Sequence, residues 1–362
     1  MSTRPTVSVV IPYYNEGELL ARALQSVFGQ TFAGDLEIIL VDDASDRPPK
    51  LPLQRRWPIE VVTRQKNAGA AAARNLGIRH ARADLFCFLD ADDVYLPERI
   101  QSHVDFLEQH PDVVMVGGPH YVEREEVWLH IPEAVSTCFA SPLGHRCMVP
   151  AAPLVLPARA RAEACVSYFL HSGMMTIRRA AFEQIQGFAE DLCWGEEWDL
   201  GVRLAQIGNI GFVPTPGMRY LCRPGTITST LNAEKELCAA KMFRAWRQNV
   251  PELPLRSRWL LRGWERNSLL LAAQTYWEDQ HQARPALSYA CSALLRSPSI
   301  WACRSVVRMT LHAAKDWAGL LLRKLKYGKR QPASGADEDN AMDNSETTPG
   351  AGEERQTPLI QR

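Results

Sequence analysis

Apolar positions in the first ninety residues fall into short β-branched runs separated by helix-spaced stretches. TVSVVIP (6–12), closed by proline, reads as a buried strand. EGELLARALQSVFGQ (16–30) puts Leu19, Leu20, Ala23, Leu24 and Val27 at helical spacing. LEIILVDD (36–43), IEVVTR (59–64) and DLFCFLD (84–90) are further predicted strands, and AGAAAARNLGIRHAR (68–82) is a helix whose alanines permit close packing. Strands alternating with helices predict an α/β fold, a mostly parallel sheet covered on both faces.

Beyond this block the pattern weakens. Residues 120–170, with VPAAPLVLPARARA, predict an irregular insertion or loop. Order resumes at YFLHSGMMTIRRAAFEQIQGF (168–188), and WGEEWDLGVRLAQIG (194–208) has the period of an amphipathic helix. Residues 235–327 predict helices throughout, and the Ser/Gly/Asp/Glu/Thr/Pro-rich end predicts a disordered tail. The expected domains are therefore 1–232, an α/β domain; 233–330, a helical region; and 331–362, the tail.

Composition narrows the function. The 362 residues hold 41 Lys plus Arg against 41 Asp plus Glu, so no net field draws the chain to nucleic acid, which is excluded as a first expectation. Nine scattered cysteines without a CxxC pair predict reduced thiols in a cytoplasmic protein. Nowhere do eighteen apolar residues run together, so no spanning helix is expected.

In parallel sheets ligands sit outside the carboxyl ends of the strands, and the polar residues here obey that rule. Tyr13, Tyr14 and Asn15 follow the first strand, Asp42 and Asp43 close the second, and Asp90, Asp92 and Asp93 close the fourth. Crowded carboxylates repel unless a cation or hydrogen bonds offset them. Hard oxygen ligands at this spacing suit Mg²⁺ or Mn²⁺ together with a phosphate. Taken alone, Asp-x-Asp reads more readily as a solvated turn opening a helix.

VVIPYYNE, EIILVDDASD, NAGAAAARNLGI, FLDADD and GEEWDLGVRL occur in the order and spacing of family 2 glycosyltransferases, which the chain resembles over roughly residues 5–230. The resemblance implies a GT-A fold, a Rossmann-like nucleotide-diphospho-sugar transferase domain, here followed by a C-terminal α-helical region. It also implies sugar transfer from a nucleotide diphosphate donor with inversion. By position, Pro12, Tyr14 and Asn15 would shape the base pocket, while Tyr13 is open between that role and core packing. Asp42 would accept the N3–H of uracil or thymine, and Asp43 would organise the DDASD turn. Asn67, Gly69, Arg74 and Asn75 would lie beneath the nucleotide. Asp90 would contact the ribose or donor sugar and Asp92 would ligate Mn²⁺ or Mg²⁺, with Asp93 either a helix cap or a ligand.

The family's catalytic base is the second acid of a Glu-Asp-x-Asp-Leu-type motif, and GEEWDL puts Glu197 there, one methylene longer, with Glu196 as second choice and Asp199 structural. Trp194 and Trp198 would border the acceptor or pack in the core. Where the family has a His beside a Pro-Gly turn, this chain has Arg223, and Arg223 or Arg219 would take the phosphate instead. His120, His145 and His171 read as surface or satisfied core residues. The function implied is a metal-dependent inverting hexosyltransferase of UDP-sugars, acting on a saccharide or lipid-linked acceptor in cell-surface polysaccharide biosynthesis. A sugar nucleotidyltransferase and a non-catalytic sugar- or partner-binding relative are the alternatives, the former lacking its Gly-rich phosphate loop. HAAKDWAGLLLRKLKYGKR (312–330) has the composition of a helix on the inner face of an anionic membrane, or else of a core-facing final helix.

Overall fold

The computed structural model describes residues 5–53, 56–124, 127–129, 152–156, 171–223, 232–250, 253–278 and 282–296, with scattered positions from 303 to 310. The expected α/β alternation forms. Strands β1 (Val7–Tyr13), β2 (Leu36–Asp42), β3 (Ile59–Thr63) and β4 (Leu85–Phe88) are mutually parallel, with α1 (Leu19–Phe28) after β1 and α2 (Gly69–His80) before β4. Their apolar runs are continuous because alternate side chains enter two different cores. Val7, Val9, Ile11, Ile38 and Leu40 pack with Leu20, Leu24 and Val27 of α1 on one face. Val10, Ile39, Val41, Phe86 and Phe88 pack with Ala71, Ala73 and Ile78 of α2 on the other. Helix α2 comes so close that a Cβ at Gly77 would collide with Val10.

The next strands and helix are β5 (Val94–Tyr95), α3 (Arg99–Gln109) and β6 (Val113–Gly117). The irregular loop expected over 120–170 instead contains β7 (Tyr121–Arg124), β8 (Val127–Leu129) and β9 (Leu154–Leu156); its remainder lies outside the described residues. Strands of three or four residues are too short to show a period, and pairing with distant partners forms them. Then follow β10 (Thr176–Arg178), α4 (Arg179–Gln184), α5 (Glu196–Ile207), β11 (Asn209–Phe212) and β12 (Met218–Cys222). The main sheet has the order β3-β2-β1-β4-β10-β6-β11-β9, and a smaller one β5-β12-β7-β8. The chain winds outward from β1 through β2 to β3, then returns to the other side of β1 with β4. That reversal opens a crevice at the carboxyl ends of β1 and β4.

The helical region forms as α6 (Ala233–Asn249), α7 (Leu255–Glu278) and α8 (Ala283–Arg296). Glu265 of α7 is fully buried between Arg247 of α6 (3.1 Å) and Arg296 of α8 (3.4 Å), which ties the three helices by charge. All described residues belong to one compact unit, Met1–Ala313. One expectation is corrected: Cys193 and Cys238 form a disulfide between the loop before α5 and α6. Their separation of 45 residues gave no spacing signal, and only the docking of α6 brings their Cα atoms to 6.4 Å. The segment 312–330 and the tail 331–362 lie outside the described residues.

Candidate active site

Arg74 organises the crevice. It projects from α2, is only 3% exposed, and lies with its guanidinium 5.5 Å from the Phe188 ring centre. Nη2 donates to Asp90 Oδ1 at 2.6 Å and to Ser172 Oγ at 3.2 Å, while Nη1 donates to Glu196 Oε1 at 2.8 Å. Burial opposes the arginine charge, but the fields of Asp90 and Glu196 outweigh it and raise its pKa. Asp90 mirrors this: burial works against ionisation, yet Arg74 and the facing His171 hold its carboxyl below the ordinary range. The end of β4 and the start of α5 are thereby joined at one point.

Glu197, next along α5, stands apart from this pairing. Its carboxyl is pushed up to about 8, first by burial and then by the charge of Glu196. Gly195, with φ +77°, caps the helix in the left-handed region, where a side chain would be strained. Asp199 is bound by Arg203 Nε at 2.6 Å and by the Trp246 indole N–H at 3.2 Å, a structural arrangement. Trp194 and Trp198 pack edge to face at 5.2 Å against the core, with Lys235 over Trp194.

Three side chains not singled out as ligands together from the sequence meet here. Asp90, Asp93 and His171 each offer a ligand atom, all within 4.8 Å of one another. Asp93 does not cap a helix. It is fully buried, its Oδ1 accepts the Leu221 N–H at 3.0 Å, and its Oδ2 is buried without a hydrogen-bond partner. Burial, then the charges of Asp90 and Asp92, raise its pKa well above the usual range. An orphaned acid oxygen of this kind fits a cation. His171, expected to be a surface or satisfied core residue, lies tilted against the rings of His120 (5.2 Å) and Tyr220 (5.0 Å). Burial lowers its pKa against the opposing fields of Asp90 and Glu196, and its Nδ1 accepts the Gly173 N–H at 3.1 Å. That bond favours the Nε2–H tautomer and makes the two carboxylates the stronger half of the donor set. A lone histidine some eighty positions downstream carries no spacing signal.

Asp92 takes a different partner. Arg223 Nη2, at the end of β12, donates to Asp92 Oδ2 at 2.7 Å and to Glu16 Oε2 at 2.9 Å.

At the ends of β1 and β2 the turns interlock. Asn15, in the left-handed region at φ 56°, donates its backbone N–H to Ser45 Oγ and its side-chain amide to Asp46, whose N–H it accepts in return. Asp42 Oδ1 accepts the Ser45 N–H at 3.0 Å. Pro12 lies within β1, which runs one residue past the expected end; Tyr13 is buried and Tyr14 is 48% exposed. Asp43 does more than shape its own turn. It reaches across to accept the Ala68 and Gly69 N–H groups, fixing the start of α2. Asn67 is exposed there, and Gly69 (φ +87°) has open space around its Cα. Asn75 binds the Phe188 backbone and Glu190, holding the loop after α4 against α2.

Comparison with known proteins adds the following. Residues 8–186 match the model for Glycosyl transferase family 2. The Amylovoran biosynthesis glycosyltransferase AmsE of Erwinia amylovora is 34% identical over 117 residues, covering 31% of this chain and 44% of AmsE. The chain thus spans less than half the length of the first curated relatives it matches. Among solved structures, S. aureus TarS 1-349 in complex with UDP-GlcNAc aligns with a TM-score of 0.58 at 15% identity, over 81% of this chain and 82% of that one. Mannosyltransferase PcManGT from Pyrobaculum calidifontis, in complex with GDP-Man and Mn²⁺, aligns at 0.50 with 17% identity, over 91% and 89%. At these identities the two structures establish the fold alone, a mixed α/β sheet of GT-A type followed by helices.

Proposed function

Since residues 8–186 of the chain belong to Glycosyl transferase family 2, we propose that the protein transfers a hexose from a UDP-sugar to a hydroxyl of a saccharide or lipid-linked acceptor, with inversion. The observation that carries this reading is the Arg74 bridge between Asp90 and Glu196, which unites the donor-side acids with the acidic start of α5. A role in cell-surface polysaccharide synthesis draws support from AmsE, named for amylovoran biosynthesis. TarS binding UDP-GlcNAc supports a uridine donor.

On the donor side, Asp42 Oδ2 is left to accept a pyrimidine N3–H, and the exposed Tyr14 ring offers a stacking face beside Pro12 and Asn15. Asn67 and Gly69 line the open start of α2. Asp90, fixed by Arg74, accepts from the ribose or sugar hydroxyls. Mn²⁺ or Mg²⁺ would be held by Asp90 and Asp93, with Asp92 as the outer carboxylate and His171 joining through Nε2 only if Nδ1 gives up the Gly173 N–H, and when bound it neutralises the leaving diphosphate. PcManGT binding Mn²⁺ supports that cofactor.

Glu197 takes the proton of the acceptor hydroxyl as its oxygen bonds to the anomeric carbon and the bond to the diphosphate breaks. Glu196 is the weaker candidate because Arg74 holds its carboxylate. Trp194 and Trp198 border the acceptor side. Screening the full chain against a panel of nucleotide sugars with Mn²⁺ should release UDP in the presence of a saccharide or glycolipid acceptor. Failure to bind UDP, with or without Mn²⁺, would discard the reading, and release of pyrophosphate from UTP and a sugar phosphate would mark a nucleotidyltransferase instead.

The reading extends to peripheral contact with the cytoplasmic face of the membrane. Among the described residues no helix is long and apolar enough to cross it, but Leu255 and Trp259, one turn apart on α7, are 86% and 72% exposed. Sedimentation with anionic vesicles should weaken in Trp259→Ser, and equal binding by that variant would remove the support from α7.

A further inference from the structure

Asp92 and Glu16 enter the crevice from different strand ends, Glu16 after β1 and Asp92 after β4, and one guanidinium nitrogen of Arg223 serves both. The excess of acid at this rim is large. Four carboxylates share two arginines there, Asp90 and Glu196 on Arg74 and Asp92 and Glu16 on Arg223, with the acids Asp93 and Glu197 close by. A diphosphate brings further negative charge, so the rim needs more positive charge when loaded than Arg223 gives while buried in two carboxylates. The Arg223 side chain is about a third exposed (36%), and its planar fork matches phosphate as well as carboxylate. A divalent ion is the stronger partner for hard carboxylate oxygens.

We propose that Arg223 is a resident counter-cation of Asp92 and Glu16, that a divalent ion held by Asp90 and Asp93 takes Asp92 as a further ligand and so displaces the arginine, and that the displaced guanidinium then binds the donor diphosphate. The inference rests on the nucleotide-sugar reading. Arg223 is on this account a specificity residue for the loaded state and a competitor of the metal in the empty one, so its removal has opposite effects on two ligands. A residue that merely holds the fold would weaken both.

The test uses the full chain and two titrations: Mn²⁺ alone, followed by the electron paramagnetic resonance of the free ion, and UDP in saturating Mn²⁺, followed by calorimetry. Arg223→Ala should bind Mn²⁺ alone about tenfold more tightly than wild type, and UDP about tenfold more weakly, the scale of one charge-assisted hydrogen bond. Arg223→Lys, which keeps the charge without the fork, should fall between wild type and Arg223→Ala for Mn²⁺. It carries the test if the alanine variant does not fold, as thermal unfolding would reveal. Wild type that binds both ligands, with variants that bind Mn²⁺ no more tightly or UDP no more weakly, overturns the inference alone. Wild type that binds neither ligand overturns the nucleotide-sugar reading and this inference with it.

Discussion

Glu196 and Glu197 are adjacent acids with opposite prospects, and the difference is their company. Arg74 keeps Glu196 paired, whereas burial and the charge of Glu196 push Glu197 up to about 8 from an ordinary 4.5. A base must be ionised to accept a proton, so the raised pKa has a definite sign. As pH rises through about 8 the active carboxylate fills, and below that value kcat/KM falls about tenfold per unit. A pH profile of kcat/KM with the best donor measures this. Glu197→Gln should lose turnover by roughly 10²–10⁴-fold while keeping UDP affinity. A glutamine variant with unchanged turnover would move the base elsewhere, and a profile flat from pH 6 to 9 would separate Glu197 from the proton transfer.

At the scale of elements, the position of Arg74 depends on how closely α2 lies on the sheet. Gly77, one turn further along α2, allows that approach: a Cβ there would strike Val10 and stand 3.1 Å from Val41. Gly77→Ala should therefore lift α2, destabilise the fold by about 1–3 kcal/mol, and reduce turnover through misplacement of Arg74. Urea unfolding and a turnover assay scaled to folded protein would check both effects; unaltered stability would mean the interface yields without cost. The strands that build this platform were legible because their apolar runs are long and each is closed by polar residues, so the acids at their ends could be read as one rim. His171 and Ser172 were not, because their place depends on β10 running antiparallel beside β4, with Thr176 opposite Cys87. That pairing sets the residues before β10 at the carboxyl end of β4, next to Asp90. Neither the three-residue strand nor the lone histidine carries a period or a spacing. The partner of Asp92 was likewise hidden, since Arg223 returns to the rim from 131 residues away.

For the whole molecule, the helical region has a role beyond bulk: it braces the helix that carries the proposed base. Helix α6 grips the start of α5 through the Cys193–Cys238 bridge, through Met242 packed 3.2 Å from where a Gly195 Cβ would stand, and through the Trp246–Asp199 bond. All three contacts fall within a few residues of Glu197. Loosening them should blur the orientation of the base while leaving the nucleotide pocket, built on β1, β2 and α2, intact. Replacing Cys193 and Cys238 by serine should lower stability by about 2–4 kcal/mol through the freed loop. Trp246→Phe, which keeps most of the ring but loses the N–H, should cost about 1 kcal/mol. Both variants should lower kcat with UDP affinity unchanged, a split that a general loss of folded protein would not produce once activity is scaled to folded fraction. Peptide mapping without reductant should recover residues 193 and 238 as a linked pair. If both thiols alkylate freely in the native protein and the serine variant unfolds at the wild-type temperature, the bridge is not part of the brace, and Trp246 and Met242 carry it alone.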